Sequence, residues 1–591
     1  NRESILSGSA NTTDNNHNIM LSGYQNNLIN AGDSIVIGYQ NLIKDVSKVA
    51  VFGESNDVSG NTKLSLISGL NNKQFTGDNN VIFGSNNVSR NSNGGLMSGN
   101  LNQDLDGSGN FILGKEQLSS KVENSILSGY KSTSISTINS FILGNENELL
   151  KGENAIISGK KNEINNGYNS FINGKDNVII DASNSIISSV NSSISQVERS
   201  VISGINNNVT SATNDAIFGE LNETNNNINS LISGKGNKAI NGIRNVISGF
   251  DNQVASDEDT ILSGKSNNIN SGKSNIISGN SNIVNGSDNN VISGSSNNVE
   301  DLSNNTISGE SNTVTKTFSS FISGISNIVN NITKSFIFGN NNEVNVKEQD
   351  TDADTNSIGL FVSGKNNKIK GGSYSSVFGI DNEIIDNTNS IVGGNNSNLN
   401  TIDGSTILGK NLNITNTDNS NITGKSHIID LTSESIIAGD GNNVTSATND
   451  AIFGKSHTIN NDNNSIILGE SNQTLNGNDN AIFGKLNVNS NVSRSIISGE
   501  SNQLTNVKNT LTLGKANQIN DSNSSMVVSI NNTTTNSESV FVFGDSNKVV
   551  DVSGSIIMGK NLDVSGNTKY SLITGLDNKE KEGNNNFILG K

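Results

Sequence analysis

The chain has 591 residues, of which 31% are hydrophobic and 4% aromatic, with no Trp, Pro or Cys and a formal charge of −17. So little apolar material is too thin for the cores of several ordinary globular domains, and the lack of Cys excludes disulfides and thiolate metal or redox sites. A pI near 4.7 argues against a phosphate-tracking nucleic-acid surface, and no apolar run approaches the roughly 18 residues that span a bilayer.

From the N-terminus onward one phrase recurs. Numbered by its glycine it falls at Gly8, Gly23, Gly38 and Gly53, then at every fifteenth residue from Gly69 to Gly339 and from Gly364 to Gly559, then at Gly575 and Gly590. This gives 39 units over residues 1–591, read as a single continuous repeat with no visible domain boundary. The intervals are 15 residues except for two of 16, Gly53 to Gly69 and Gly559 to Gly575, and one of 25, Gly339 to Gly364. Ser189 and Ser529 replace the anchor glycine in two units.

Within each unit the residue two before the anchor is Ile, Val, Leu or Met in 38 of 39 cases, Thr512 being the exception. Asn stands three after it in 30 of 38, and a β-branched or Leu residue dominates five after it, as at Ile164, Val254 and Ile384. The pattern predicts a short β-branched strand, a Gly-led turn, a second strand and an Asn/Asp/Gly-rich second turn. Fifteen residues cannot enclose a core, so each rung must bury its apolar positions against copies above and below. The expected fold is all-β, a parallel β-solenoid or β-roll of 15-residue two-strand rungs, with ladders of buried Asn at each turn. The first strand carries two or three consecutive apolar residues. One of its faces fills the roll, and the other calls for a partner, most simply identical chains around an axis.

The repeat breaks at the insertion of about residues 340–359, within which "NVKEQDTDADTNSIG" runs from Asn345 to Gly359. Asp350, Asp352, Asp354 and Asn356 alternate there as the oxygen ligands of a calcium loop do. Thr355 stands where such a loop has Gly, and Phe361 where it has Glu, so calcium competes with a plain solvated loop and with a partner-binding loop. Two of the three histidines, His427 and His457, occupy the Asn position and read as structural replacements, and His17 lies in the second turn with no nucleophile pattern around it. Ser recurs one before the anchor, at Ser158, Ser278 and Ser293, in a slot shared with Phe218, Phe338 and Leu468. It is a packing position, no acid–base pair recurs beside it, and no enzyme and no other cofactor are expected.

The phrases "NAIISGKKNEI" (Asn154 to Ile164) and "SNIISGNSNI" (Ser274 to Ile283) resemble the head repeat of YadA-like trimeric autotransporter adhesins. The period is slightly longer here, and the Ala common in that repeat is largely replaced by Ile, Ser and Asn. The resemblance implies a left-handed roll, a homotrimer, and display on a bacterial cell surface by an outer-membrane anchor. No coiled-coil stalk and no membrane anchor are expected within this chain. The expected function is a stiff adhesin head that attaches to host matrix, host receptors or other cells, with a structural extracellular filament or spacer as the alternative. No column is rich in Thr, which argues against a crystalline ligand such as ice or polysaccharide.

Overall fold

Backbone groups of a two-strand rung find no partners inside the rung, so its hydrogen bonds must run to the rungs on either side. The chain divides into two units, Asn1–Ser295 and Ser296–Lys591, and the computed structural model describes residues 3–165, 167–180, 183–191, 193–195, 198–345 and 357–590. Each unit is a parallel β-solenoid, and the described residues contain no helix.

In the first unit, strand Ile276–Asn280 lies parallel to Ile261–Lys265, with Ile276 opposite Ile261, Ile277 opposite Leu262 and Gly279 opposite Gly264. The second strand of the same rung, Ile283–Asp288, places Ile283 opposite Asn268 and Val284 opposite Ile269. In the second unit, Ile407 stands opposite Ile422 and Gly409 opposite Gly424, while Leu399 stands opposite Ile414. First strands thus stack into one sheet and second strands into another. Between them Ile277, Val284, Ile407 and Ile414 are fully buried. Each buried aliphatic side chain contributes about 1.5–3 kcal/mol, which a rung obtains only when its neighbours are in place.

Three residues per regular rung turn the chain with left-handed backbone. Around Gly279 they are Ser274, Ser281 and Gly286, at φ 55, 56 and 55°. Around Gly264 they are Asp259, Ser266 and Ser271, at φ 58, 54 and 56°. Asn, Asp and Gly enter this region at lower cost than other residues, which accounts for much of the polar composition. The strain is offset between rungs, as where Ser281 N–H donates to the Lys265 carbonyl at 2.8 Å and Ser274 N–H to the Glu258 carbonyl at 2.7 Å.

The anchor glycine is not the turn that the sequence pattern predicts. Gly279 is the fourth residue of its strand, and the bend falls two residues later, at Ser281. A Cβ on Gly279 would lie 1.7 Å from the carbonyl oxygen of Gly294, with φ at +132°. Glycine is required there because successive backbones approach too closely for any side chain.

Irregular rungs leave the stack in register. Across the 25-residue interval Gly339 still faces Gly364. In the 16-residue rungs Val51 faces Ile67 and Ile557 faces Ile573. The extra residue is absorbed at a corner where two successive residues are left-handed, Gly60 and Asn61 at φ 79 and 65°, and Gly566 and Asn567 at φ 78 and 61°.

Candidate functional surface

Both ends of the roll interior are polar, and both are closed by side chains that imitate a backbone amide. At the Asn column, Asn282 N–H donates to Asn267 Oδ1 at 3.0 Å and Asn282 Nδ2 donates to the same oxygen at 2.9 Å. Asn282 Nδ2 also donates to the Gly294 carbonyl at 3.1 Å. At the opposite end Ser420 N–H donates to Ser405 Oγ at 3.0 Å and Ser435 N–H to Ser420 Oγ at 3.1 Å.

Imidazole fits the Asn column because its two nitrogens reproduce one acceptor and one donor. Asn442 N–H donates to His427 Nδ1 at 3.1 Å, and His427 Nε2 lies 3.0 Å from the Thr423 carbonyl. Asn472 N–H donates to His457 Nδ1 at 3.2 Å, and His457 Nε2 lies 3.1 Å from the Phe453 carbonyl. The proton therefore sits on Nε2, and a second proton on Nδ1 would face a backbone N–H. Burial lowers both histidines below their ordinary value of 6.5. With the folded value lowered, their contribution to stability is intact above pH 6.5 and is lost as the pH falls below it. Replacing His457 with Asn is expected to abolish the part of the acid destabilisation due to this residue, read as the difference in thermal midpoint between pH 7.5 and pH 5.

The interior also holds carboxyls. Asp450 and Asp462 belong to the same rung as His457. Ser465 N–H donates to Asp450 Oδ1 at 2.7 Å and Ser465 Oγ to Asp462 Oδ1 at 2.7 Å, while the second oxygen of each has no hydrogen-bond partner. Burial, reinforced by Asp462, pushes Asp450 up to about 7, and burial pushes Asp462 up to about 6.

Outside, the two sheets differ. The first strand presents to solvent the residues three before and one before the anchor. Among them Ile276 is 45% exposed, Phe111 47% and Phe336 50%. In the second unit this face carries a run of rings, Phe321, Phe336, Phe338, Phe361 and Phe378, whose neighbouring centroids lie 5.3–6.5 Å apart. Monomeric proteins seldom expose contiguous apolar patches beyond about 300–600 Å². Beside it, one residue after the anchor, runs a mixed column in which charged pairs such as Lys235–Glu220 at 3.2 Å and Lys515–Glu500 at 3.2 Å alternate with exposed apolar residues such as Ile205, Phe250 and Ile325. These pairs are exposed, so they contribute little to stability and instead give the apolar face a polar rim. The second sheet turns Asn298, Glu343, Asn398 and Gln503 outward and is polar along most of its length.

Most amide ladders at the exposed corners run toward the C-terminus, although Gln40 Nε2 donates backward to Gln25 Oε1 at 2.9 Å. Asn461 donates to Asn476 at 2.8 Å, Asn476 to Asn491 at 2.9 Å, Asn491 to Asn506 at 2.9 Å and Asn506 to Asp521 at 2.8 Å. Asn15 donates to Asn30 in the same sense, at 2.8 Å, and Asn30 to Asp45 at 2.6 Å.

Asp350, Asp352, Asp354 and Asn356 lie outside the described residues. Among the described residues no group of three His, Asp or Glu side chains is placed to hold a metal ion, and no helix is long and apolar enough to cross a membrane. The outward apolar positions were legible in the sequence as a strand apolar on both faces. The charged rim was missed, although alternating Lys and Glu one residue after the anchor signal it at Glu470, Lys485, Glu500 and Lys515.

Fold and surface define a repetitive protein of the β-roll type. Residues 217–331 match the family model of the grass antifreeze beta roll, a stretch of about a fifth of the chain. No curated protein matches the chain. The family match agrees with the parallel roll described above, and its family is antifreeze-related.

Proposed function

We propose that the chain is the rod-forming head of an extracellular bacterial adhesin. In this reading it assembles as a homotrimer through the first-sheet face and attaches to host matrix, host receptors or other cells through the second. The observation that carries it is the division of most rungs into an apolar outer face on one sheet and a polar one on the other. Copies that cover the first face leave the polar faces outward, repeated rung after rung, where many weak contacts sum to avidity. The YadA-like phrase supports the same reading, with anchoring assigned to an outer-membrane segment of a longer protein. Sedimentation equilibrium at micromolar concentration is expected to give three times the chain mass, and coated beads are expected to adhere to matrix or cell panels. A monomer overturns the assembly, and assembly without adhesion leaves the filament alternative.

A second reading is favoured by the antifreeze-related family match. Within the matched stretch the first sheet aligns Ser233, Ser248, Ser263, Ser278 and Ser293 beside Leu231, Val246, Ile261, Ile276 and Val291, a regular mixed column suited to a periodic surface such as ice. Inhibition of ice recrystallisation by the soluble chain supports this reading, and its absence removes it.

A further inference from the structure

We infer that the second strands from Lys73 to Ile135 form a docking seam for a short acidic amphipathic helix of a partner protein, laid along the stack across five rungs. The inference deepens the reading of the second sheet as the attachment face, on which it rests, by naming one place on that face and the chemistry of its partner.

These five rungs are built inside out. Five residues after the anchor, where the second strand points into the roll, 27 of 38 rungs have Ile, Val, Leu or Ala, and polar residues otherwise occur singly or, at Thr474 and Asn489, on two adjacent rungs. Here five in succession are polar, Gln74, Ser89, Asp104, Ser119 and Ser134, and each is at most 3% exposed. A small cavity lies among Asn80, Ser89, Gly95, Asp104 and Asn110. The apolar residues of the same strands stand outside. They are Phe75 in Lys73–Phe75, Val88 in Val88–Arg90, Leu105 in Gln103–Leu105, Leu118 in Leu118–Ser120 and Ile135 in Thr133–Ile135, all half-buried. Beyond the adjoining Leu150, outward positions of this sheet have Phe, Leu, Ile or Val only on single rungs or on two adjacent ones.

The stretch is in register with aliphatic neighbours at both ends, Gln74 opposite Val58 and Ser134 opposite Leu149, so the inversion is not a slipped strand. It costs stability twice, because polar side chains replace a buried aliphatic column and apolar ones face water. Drift at single positions accounts for an isolated Ile283 or Ile328. Five consecutive rungs call for a partner that buries the outer row.

The spacing selects the partner. Phe75, Leu105 and Ile135 share one column, six after the anchor, and Val88 and Leu118 share the other, four after it. Apolar groups therefore alternate between two columns about 6.6 Å apart, and recur in each column every two rungs, about 9.6 Å. The apolar seam of a heptad helix alternates in the same way, with steps of three and four residues and a recurrence of seven residues, about 10.5 Å. From Phe75 to Ile135 the stack rises about 19 Å and fourteen helical residues rise about 21 Å, a mismatch of less than half a step. An extended strand fits less well, because its same-face side chains form a single line about 6.8 Å apart. Charge sets the helix's flanks. Among the ten outward positions of these strands Lys73 and Arg90 are cationic and none is a carboxylate, in a chain of net charge −17. The Arg90 guanidinium lies over the Phe75 ring, 5.7 Å from its centroid, so cation and apolar surface are presented together to an acidic apolar helix.

The probe is a fluorescein-labelled peptide of about 16 residues with Leu at heptad positions a and d and Glu at e and g, titrated by anisotropy into the full chain. Saturable binding is expected, weakened roughly tenfold or more by Leu105→Gln with Leu118→Gln and unchanged by Ile283→Gln with Ile328→Gln, each variant folded by circular dichroism. Lys73→Glu with Arg90→Glu, at exposed positions, is expected to turn the preference from the Glu peptide to one with Lys at e and g. No binding to the parent chain, or binding that Leu105→Gln with Leu118→Gln leaves unchanged, overturns the seam. A parent that binds the Lys peptide as well as the Glu peptide overturns the acidic partner. Beads coated with the chain separate this from the reading it rests on. Adhesion without peptide binding overturns the seam alone, and peptide binding without adhesion to any panel overturns the adhesin reading and keeps the seam.

Discussion

Replacing Gly279 with Val is expected to destabilise the first unit by about 3–5 kcal/mol. Two costs combine. The new Cβ would fall 1.7 Å from the Gly294 carbonyl oxygen, and φ at +132° is a conformation that a β-branched residue does not hold. Ser529 shows what accommodation takes. It is not left-handed, and its hydroxyl donates to Asn517 Oδ1 at 2.7 Å, a bond that Val cannot make. Asn280→Val, one residue on and exposed, is the control and is expected to stay within about 0.5 kcal/mol of the parent. Urea unfolding measures both. Because rungs contact only their neighbours, hydrogen exchange is expected to rise first in Ile276–Asn280 and Val291–Ser295. A Gly279→Val loss below about 1 kcal/mol would show that the rungs can separate at low cost.

Asp450→Asn is expected to stabilise the second unit by about 2–4 kcal/mol at pH 8 and to have almost no effect at pH 4. The sign follows from the direction of the shift. Burial and Asp462 raise the folded carboxyl from 3.8 to about 7, so the folded state holds the proton more tightly than the unfolded one. That contribution is fully present below about pH 3.8 and is lost as the pH rises through 7. Asp462, raised to about 6, loses its contribution over a window that closes one unit lower. His457 in the same rung has the opposite sign and weakens the fold below pH 6.5. Thermal midpoints from pH 4 to pH 8 test the claim. A parent whose stability does not fall between pH 5 and 8, or an Asp450→Asn variant without gain at pH 8, would contradict it.

The period, the buried column two before the anchor, the second strand and the Asn ladder were legible because each imposes one residue type at one place in every rung. The role of the anchor was not. Gly suits both a turn and a close backbone approach, and only the position of Gly294 above Gly279 distinguishes them. The true corners carry Ser, Asn, Lys, Leu or Gly, as at Ser281, Asn206, Lys131, Leu221 and Gly441. Their tolerance hides them from a composition-based reading, because neighbouring rungs' hydrogen bonds offset the left-handed cost. On the surface, the two-faced first strand pointed to an apolar exterior. The acidic insertion stands out in the sequence alone.

The corner ladders carry a further consequence, for how such a chain grows. In the run from Asn461 to Asp521 each amide passes a proton donor forward to the next rung, and a carboxylate accepts without passing one on. Within such a run asparagine continues the chain of bonds and aspartate ends it, so rungs there that look interchangeable follow a syntax with a reading direction. A cassette copied within the gene, as residues 208–219 and 443–454 were, keeps its corner bonds only when the rung before it can offer what its first corner accepts. A rung inserted in the middle of an asparagine run keeps the corner bonds on both of its sides, whereas one inserted after an aspartate begins a new run.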